Sequence, residues 1–169
     1  KDSSLVVASK LIKAGKAHAL VSAGNTGAVT MSAILNIGRL PGVARPTIAS
    51  PMPTEKGTLS RVTDSGAFVD SKAEHLLEFA KLTDIYMRFV QKVENPTIGL
   101  LNVGEEESKG HTLTYETFEL LKNSGLNFKG NIEGKDVFKG TVDIVVCDGF
   151  VGNIVLKFAE SVLPFLKKK

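Results

Sequence analysis

Tryptophan is absent from this 169-residue chain, and there are only two tyrosines and one cysteine, Cys147. A single cysteine excludes an intramolecular disulfide and any multi-cysteine metal site. Cys147 lies inside "VDIVVC", with no His or basic residue close by in sequence, and reads as a small core side chain. The three histidines, His18, His75 and His111, fall at no metal-ligand spacing, so no metal site is expected. No apolar run approaches the roughly 20 residues needed to span a bilayer. No signal or transit pattern is visible either, which makes the cytoplasm the expected compartment. Charge of one sign is scarce: 21 Lys and Arg against 18 Asp and Glu leave a formal +3. The lysines are scattered apart from Lys167, Lys168 and Lys169, which read as a solvated end, so no nucleic-acid footprint is expected. The patterns G-x-G-x-x-G, G-x-x-x-x-G-K-[ST] and G-x-S-x-G are also missing. Their absence removes the fingerprints of dinucleotide, P-loop and nucleophile-elbow sites, and no cofactor is expected.

Glycine is plentiful, with 16 residues, many at apparent strand ends. Asp2 or Ser3 is placed to cap a helix over 4–14, with Gly15 as its stop. "HALVS" (18–22) reads as a short buried strand and is followed by a helix from about 27 to 38. Residues 39–60 are rich in proline and glycine and predict a surface segment around one short strand near "TIASP". Leu76, Phe79, Ala80, Thr83, Met87 and Val90 form a helical stripe over 73–91. "PTIGLLNVG" and "VDIVVCDGF" are continuously apolar strands and "LNFKGNI" another. A helix over 112–125, with Thr112 or Thr114 as cap, and a last helix from "GNIVLKFAESVLPF" complete the pattern. Such strands alternating with helices predict one α/β domain over 1–169, three-layer αβα, with a mainly parallel sheet.

Ligands of open parallel sheets bind outside the carboxyl ends of the strands. Five segments are expected there: "SAGNTGA", "TDSGAFVD", "NVGEEESKGH", "GNIEGKD" and "CDGFVGN". Each combines glycine with Ser, Thr, Asn, Asp or Lys, the means to bring backbone amides and short polar side chains against an anion.

These stretches resemble the phosphate acyltransferases of bacterial phospholipid synthesis. The resemblance rests on "KDSSLVVASKLIKAGKAHALVSAGNTGA", "GRLPGVARPTIASPMPT", "VDSKAEHLLEFA", "NPTIGLLNVGEEESKG", "LNFKGNIEGKD" and "VDIVVCDGFVGNIVLK", in family order over nearly the whole chain. It implies an isocitrate/isopropylmalate dehydrogenase-like fold and makes this chain the central portion of a longer member. The family shows asparagines where this sequence has Phe68 and His111.

The activity implied is transfer of a fatty acyl group from acyl-acyl carrier protein to inorganic phosphate, giving acyl phosphate. Phosphate supplies the nucleophile, so no activated serine or cysteine is required. The resemblance makes Lys109 and Asn153 the catalytic candidates. Phosphate or substrate would be held by Ser22, Gly24, Asn25, Thr26, Gly27, Asp64, Gly66, Asp148 and Gly149. Asp64 and Asp148 are equally suited to capping. The partners implied are acyl carrier protein and inorganic phosphate, with a homodimer and peripheral contact at the inner membrane face in the full-length family. Lys129 and Lys135 would meet the acidic carrier, although surface solubility explains them equally well. Two alternatives stay open: a phosphotransacetylase-like enzyme using coenzyme A, and a truncated core that binds phosphate or carrier without turnover.

Overall fold

The computed structural model describes residues 3–167, and the chain divides into two compact units, Lys1–Pro46 and Thr47–Lys169. Asp2, Lys168 and Lys169 lie outside the described residues.

The first unit is a helix pair. Ser3 caps α1 (Ser4–Lys13) by accepting from Val6 N at 3.4 Å, and Lys10 and Lys13 in the last turn complement the helix dipole. Gly15 follows at φ 69°, a left-handed exit open to glycine without strain. Asn25 caps α2 (Thr26–Asn36), its Oδ1 accepting from Ala28 N at 3.0 Å. The two helices meet at Ser9 and Ser32, both buried, whose hydroxyls are 3.0 Å apart. Residues 18–22, read as a buried strand, form no strand, and Val21 is 96% exposed. An apolar pentapeptide becomes a strand only when a ladder partner takes its amides, and 18–22 joins no ladder.

The second unit is built on a five-stranded sheet: β1 (Ser50–Pro53), β2 (Leu59–Thr63), β3 (Ile98–Leu101), β4 (Phe128–Ile132) and β5 (Ile144–Val146). Their order is β1-β2-β5-β3-β4. The sheet is mixed but mainly parallel, because β1 alone runs antiparallel, paired with β2 through a hairpin over 54–58. Proline donates no ladder bond, so Pro51 and Pro53 fit only a strand of this kind, at the sheet edge.

Residues of β5 and Cys147, which follows it, alternate between two cores. Ile144 and Val146 join Leu76, Phe79 and Leu121 under α3 (Ala73–Phe89) and α4 (Thr112–Lys122). Val145 and Cys147 join Met52, Ile132 and Val137, covered by α5 (Gly134–Lys139) and by Val151, Val155 and Leu156 of α6 (Gly149–Lys167). Helices on both faces explain why β3 and β5 are apolar at nearly every position.

Three helices differ from expectation. The residue at the N-cap of α4 is His111, and Thr114 answers from the third helical position. A short helix, α5, stands where only a loop was read, since six residues are too few for an apolar stripe. In α6, Lys157 and Glu160 interrupt the apolar run in sequence, yet its mean hydropathy reaches 1.4. By length and composition alone this one helix is long and apolar enough to cross a bilayer, against the sequence expectation.

Candidate functional site

Four of the five Gly-polar segments lie at the carboxyl ends of the parallel strands β2, β3, β4 and β5, and therefore on one rim. The segment after β2 is ordered by Asp64. Its Oδ1 accepts from the amides of Ile48 and Ala67, both at 3.1 Å, and its Oδ2 from Phe68 at 2.9 Å. These three charge-assisted bonds satisfy a carboxylate with no solvent exposure. The β2–β5 ladder continues past the strands, with Asp64 N donating to Cys147 O and Cys147 N to Thr63 O.

The start of α6 is pressed onto this loop. A Cβ on Gly149 would overlap the Phe68 carbonyl, and one on Gly152 would overlap that of Asp64. Glycine at both positions lets the helix approach backbone to backbone. Asp148 caps the helix, its Oδ1 accepting from Phe150 N at 2.9 Å and Val151 N at 3.0 Å. Asn153, one turn on, lies over Gly66, which holds φ 126°. The structure therefore brings together Asp64, Gly66, Asp148, Gly149 and Asn153. The Cys147 thiol donates to Asp64 O at 3.6 Å; burial first, and the Asp148 and Asp64 carboxylates next, push its pKa well above the ordinary thiol range.

Lys109 stands on the loop between β3 and α4, exposed and without an ion pair among the described residues. Its stem rests on Gly104: a Cβ there would come 3.0 Å from Lys109 Cγ. Gly110, at φ 109°, leads into α4. At that helix start, the Thr114 hydroxyl accepts from His111 N at 2.9 Å and donates to His111 O at 2.8 Å. The α4 N-terminus has no acidic residue in its first turn and no carboxylate at its cap, so its positive end is not neutralised from within.

A cavity of about 310 Å³ opens at this place. Leu76, Leu100, Leu113 and Val151 supply apolar wall, while Gly110, His111, Thr114 and Asp148 bring the starts of α4 and α6 to its edge. Apolar walls with a few convergent polar groups are what small-molecule sites offer. Asn153 and Asp64 do not line this cavity, and Lys109 precedes its edge by one residue. Sequence reading found the polar rim but not the cavity, because Leu76 and Leu113 carry the same helical spacing as any core leucine.

Ser22, Gly24, Asn25, Thr26 and Gly27 belong to the first unit. Ser22 Oγ accepts from Gly24 N at 3.1 Å, and the side chain of Asn25 is the α2 cap. Both polar side chains thus shape the turn locally, and the segment is exposed. Lys135, one of the two lysines expected to face an acidic partner, is bonded to Glu133 at 2.9 Å and lies 3.7 Å from Glu105. Its pKa is raised, first by the Glu133 hydrogen bond and then by that carboxylate's charge.

The sequence pattern of the fatty acid synthesis protein family matches residues 1–168. The phosphate acyltransferase of Dictyoglomus turgidum is 53% identical over 167 residues, 98% of this chain and 50% of the relative. That of Chlorobaculum parvum is 50% identical over 170 residues, again 98% and 50%. The chain spans about half the length of the curated relatives it matches. Among solved structures, the EutD phosphotransacetylase from Staphylococcus aureus superposes with a TM-score of 0.70 at 20% identity, covering 94% of this chain and 55% of its own. A phosphotransacetylase from Streptococcus pyogenes gives 0.70 at 22%, covering 93% and 54%. At such identities the likeness is one of fold. A match along nearly the whole sequence, with half the residues shared, places the chain in the fatty acid synthesis protein family.

Proposed function

We propose that this chain carries the acyl-transfer site of a phosphate acyltransferase, moving a fatty acyl group from acyl-acyl carrier protein to inorganic phosphate. The observation that carries this reading is the meeting of an apolar cavity, the unneutralised start of α4 and the unpaired Lys109 on one rim. An acyl thioester needs a dry slot for its chain. Phosphate needs a cation and amide dipoles.

A phosphate oxygen attacks the thioester carbonyl carbon, and the carbonyl oxygen gains the negative charge of the tetrahedral intermediate. As the carbonyl re-forms, the C–S bond breaks and the sulfur leaves as thiolate to take up a proton. The product is a mixed anhydride. Lys109 neutralises phosphate and developing oxyanion, and the Asn153 amide donates to the carbonyl. Positioning and electrostatics supply the acceleration, with no protein nucleophile. Asp64 and Asp148 act one step back, the first by fixing the loop under Asn153 and the second by capping α6. Gly66 and Gly149 allow that packing. Taken by itself, the first unit offers the Ser22–Gly27 segment as a proposed phosphate-holding turn, through the backbone amides its own side chains leave free.

The finer fold assignment, isocitrate/isopropylmalate dehydrogenase-like, belongs to this proposal, as do an acyl carrier protein partner, a homodimer and a cytoplasmic site of action at the inner membrane face. The test is thiol release from long-chain acyl-acyl carrier protein with and without phosphate; release supported by acyl-coenzyme A alone would move the assignment to a phosphotransacetylase-like enzyme. A second reading rests on the chain's half-length match: a core that binds phosphate or carrier protein without turnover, identified by binding with no released thiol.

A further inference from the structure

The loop over 103–110 is held by its carbonyls. Asn131 Nδ2, from β4, donates to Glu106 O at 3.0 Å. The Tyr115 hydroxyl, from α4, donates to Ser108 O at 2.8 Å. Asn102 Nδ2, just past β3, donates to Lys109 O at 2.9 Å, while Asn102 Oδ1 accepts from Val103 N at 2.8 Å. Three side chains from three places in the fold thus capture three acceptors within four residues. Lys109 N closes a turn on Glu106 O at 3.1 Å. Outside the turn, Lys135 reaches Glu105 at 3.7 Å and Lys122 reaches Glu107 at 3.3 Å.

Asn131 shows how strongly this arrangement is imposed. It is 7% exposed, and its Oδ1 has no partner among the described residues. Leaving a buried amide oxygen unpaired forfeits its hydration with nothing in return. Turning the amide over would set that oxygen against the Glu106 carbonyl instead, so the orientation answers to the loop. With its carbonyls drawn inward and Glu105 and Glu107 tied outward, the loop lays the Lys109 stem across Gly104, beside the Glu106 carboxylate and near the cavity edge.

From this geometry we infer that Tyr115, Asn131 and Asn102 are positioning residues for the Lys109 amine, with Gly104 as the surface on which its stem is set. The inference rests on the reading of Lys109 as the group that meets phosphate. Its consequence is coupling: loosening the carbonyls harms anion binding only through Lys109.

The experiment is a double-mutant cycle read by calorimetric titration with inorganic phosphate on the chain itself. It uses the wild type, Lys109→Ala, Tyr115→Phe and the double variant, with amide hydrogen exchange over 103–110 in each. Tyr115 is 42% exposed, and the substitution removes one oxygen, so the fold is kept. Tyr115→Phe is expected to weaken phosphate binding about 5- to 10-fold, the size of one well-placed hydrogen bond. It should speed exchange in the loop, and leave binding unchanged once Lys109 is alanine. Gly104→Ala, whose Cβ would come 2.8 Å from Glu106 Oε2 and 3.0 Å from Lys109 Cγ and so crowd both side chains, should reproduce the binding loss without the faster exchange. Equal losses in both backgrounds, or none in either, overturn the positioning role while the site reading stands. A wild type that takes up no phosphate, or a Lys109→Ala chain that binds as well as wild type, overturns the site reading and the inference together, and the exchange data show that the loop itself was intact.

Discussion

Asn153 lies against Gly66 closely enough that a Cβ on the glycine would come 3.2 Å from Asn153 Oδ1. That contact joins the first turns of α6 to the loop Asp64 organises, and it sets where the Asn153 amide sits. Gly66→Ala meets two obstacles, the contact itself and φ 126°, a conformation that costs an L side chain about 1–3 kcal/mol. A melting curve should show a loss of that size. Thiol release measured well below the transition should fall more than stability explains, by about 10-fold or more, as expected for a displaced donor. Loss of stability with unchanged turnover would detach Asn153 from the chemistry.

Gly152→Ala is predicted to be severe. The new methyl would overlap the Asp64 carbonyl and press on Cys147 Sγ, both backed by the sheet. Chemical denaturation should show a loss of about 3 kcal/mol or more, or no folded product. Phe150→Ala, two residues away and 55% exposed, is the comparison and should change stability by less than about 0.5 kcal/mol. Similar effects from the two would mean that α6 does not lie on the Asp64 loop as described.

Cys147 gives a pH prediction. Its thiol pKa is raised in the folded chain, so the folded state holds its proton at pH values where the unfolded state gives it up. The associated stability is complete below the unfolded thiol pKa of about 8.5 and declines as pH rises above it. Urea midpoints should fall from pH 8 to pH 10, and Cys147→Ala should flatten that slope. A thiol reagent should label the folded chain slowly across this range and the unfolded chain at once. Rapid labelling of folded protein would contradict the burial.

In the first unit, Asn25→Ala removes the α2 cap and should cost about 1 kcal/mol, measured by thermal unfolding. Asn25→Asp keeps an acceptor and should restore most of it. If Asn25 also meets phosphate, the aspartate variant should separate the roles, stable yet weaker in phosphate binding because like charges oppose.

Much of this architecture was legible because it is written in side chains. "IGLL" and "IVV" are apolar at every position but one glycine, which only a strand covered on both faces demands. The stripe from Leu76 to Met87 gave α3 nearly to its ends. The direction of β1 was not legible, since "SPMP" pairs either way until the hairpin over 54–58 is seen. "HALVS" misled because composition records apolarity and not the ladder partner a strand needs.

Lys109 and Asn153 became candidates through family resemblance, for a loop lysine and a helix asparagine carry no pattern of their own. Tyr115, Asn131 and Asn102 were invisible for a different reason. Their partners are carbonyls, which every residue has, and only the fold decides which ones face inward.

The most direct test of the account is phosphate-dependent thiol release from long-chain acyl-acyl carrier protein by the wild-type chain and by Lys109→Ala and Asn153→Ala. The account predicts release that requires phosphate and falls by about 100-fold or more in each variant, the scale on which single charge-stabilising groups act. Release that both variants sustain at the wild-type rate would contradict the site. No release from folded wild-type chain given ample phosphate would contradict catalysis and leave a binding core.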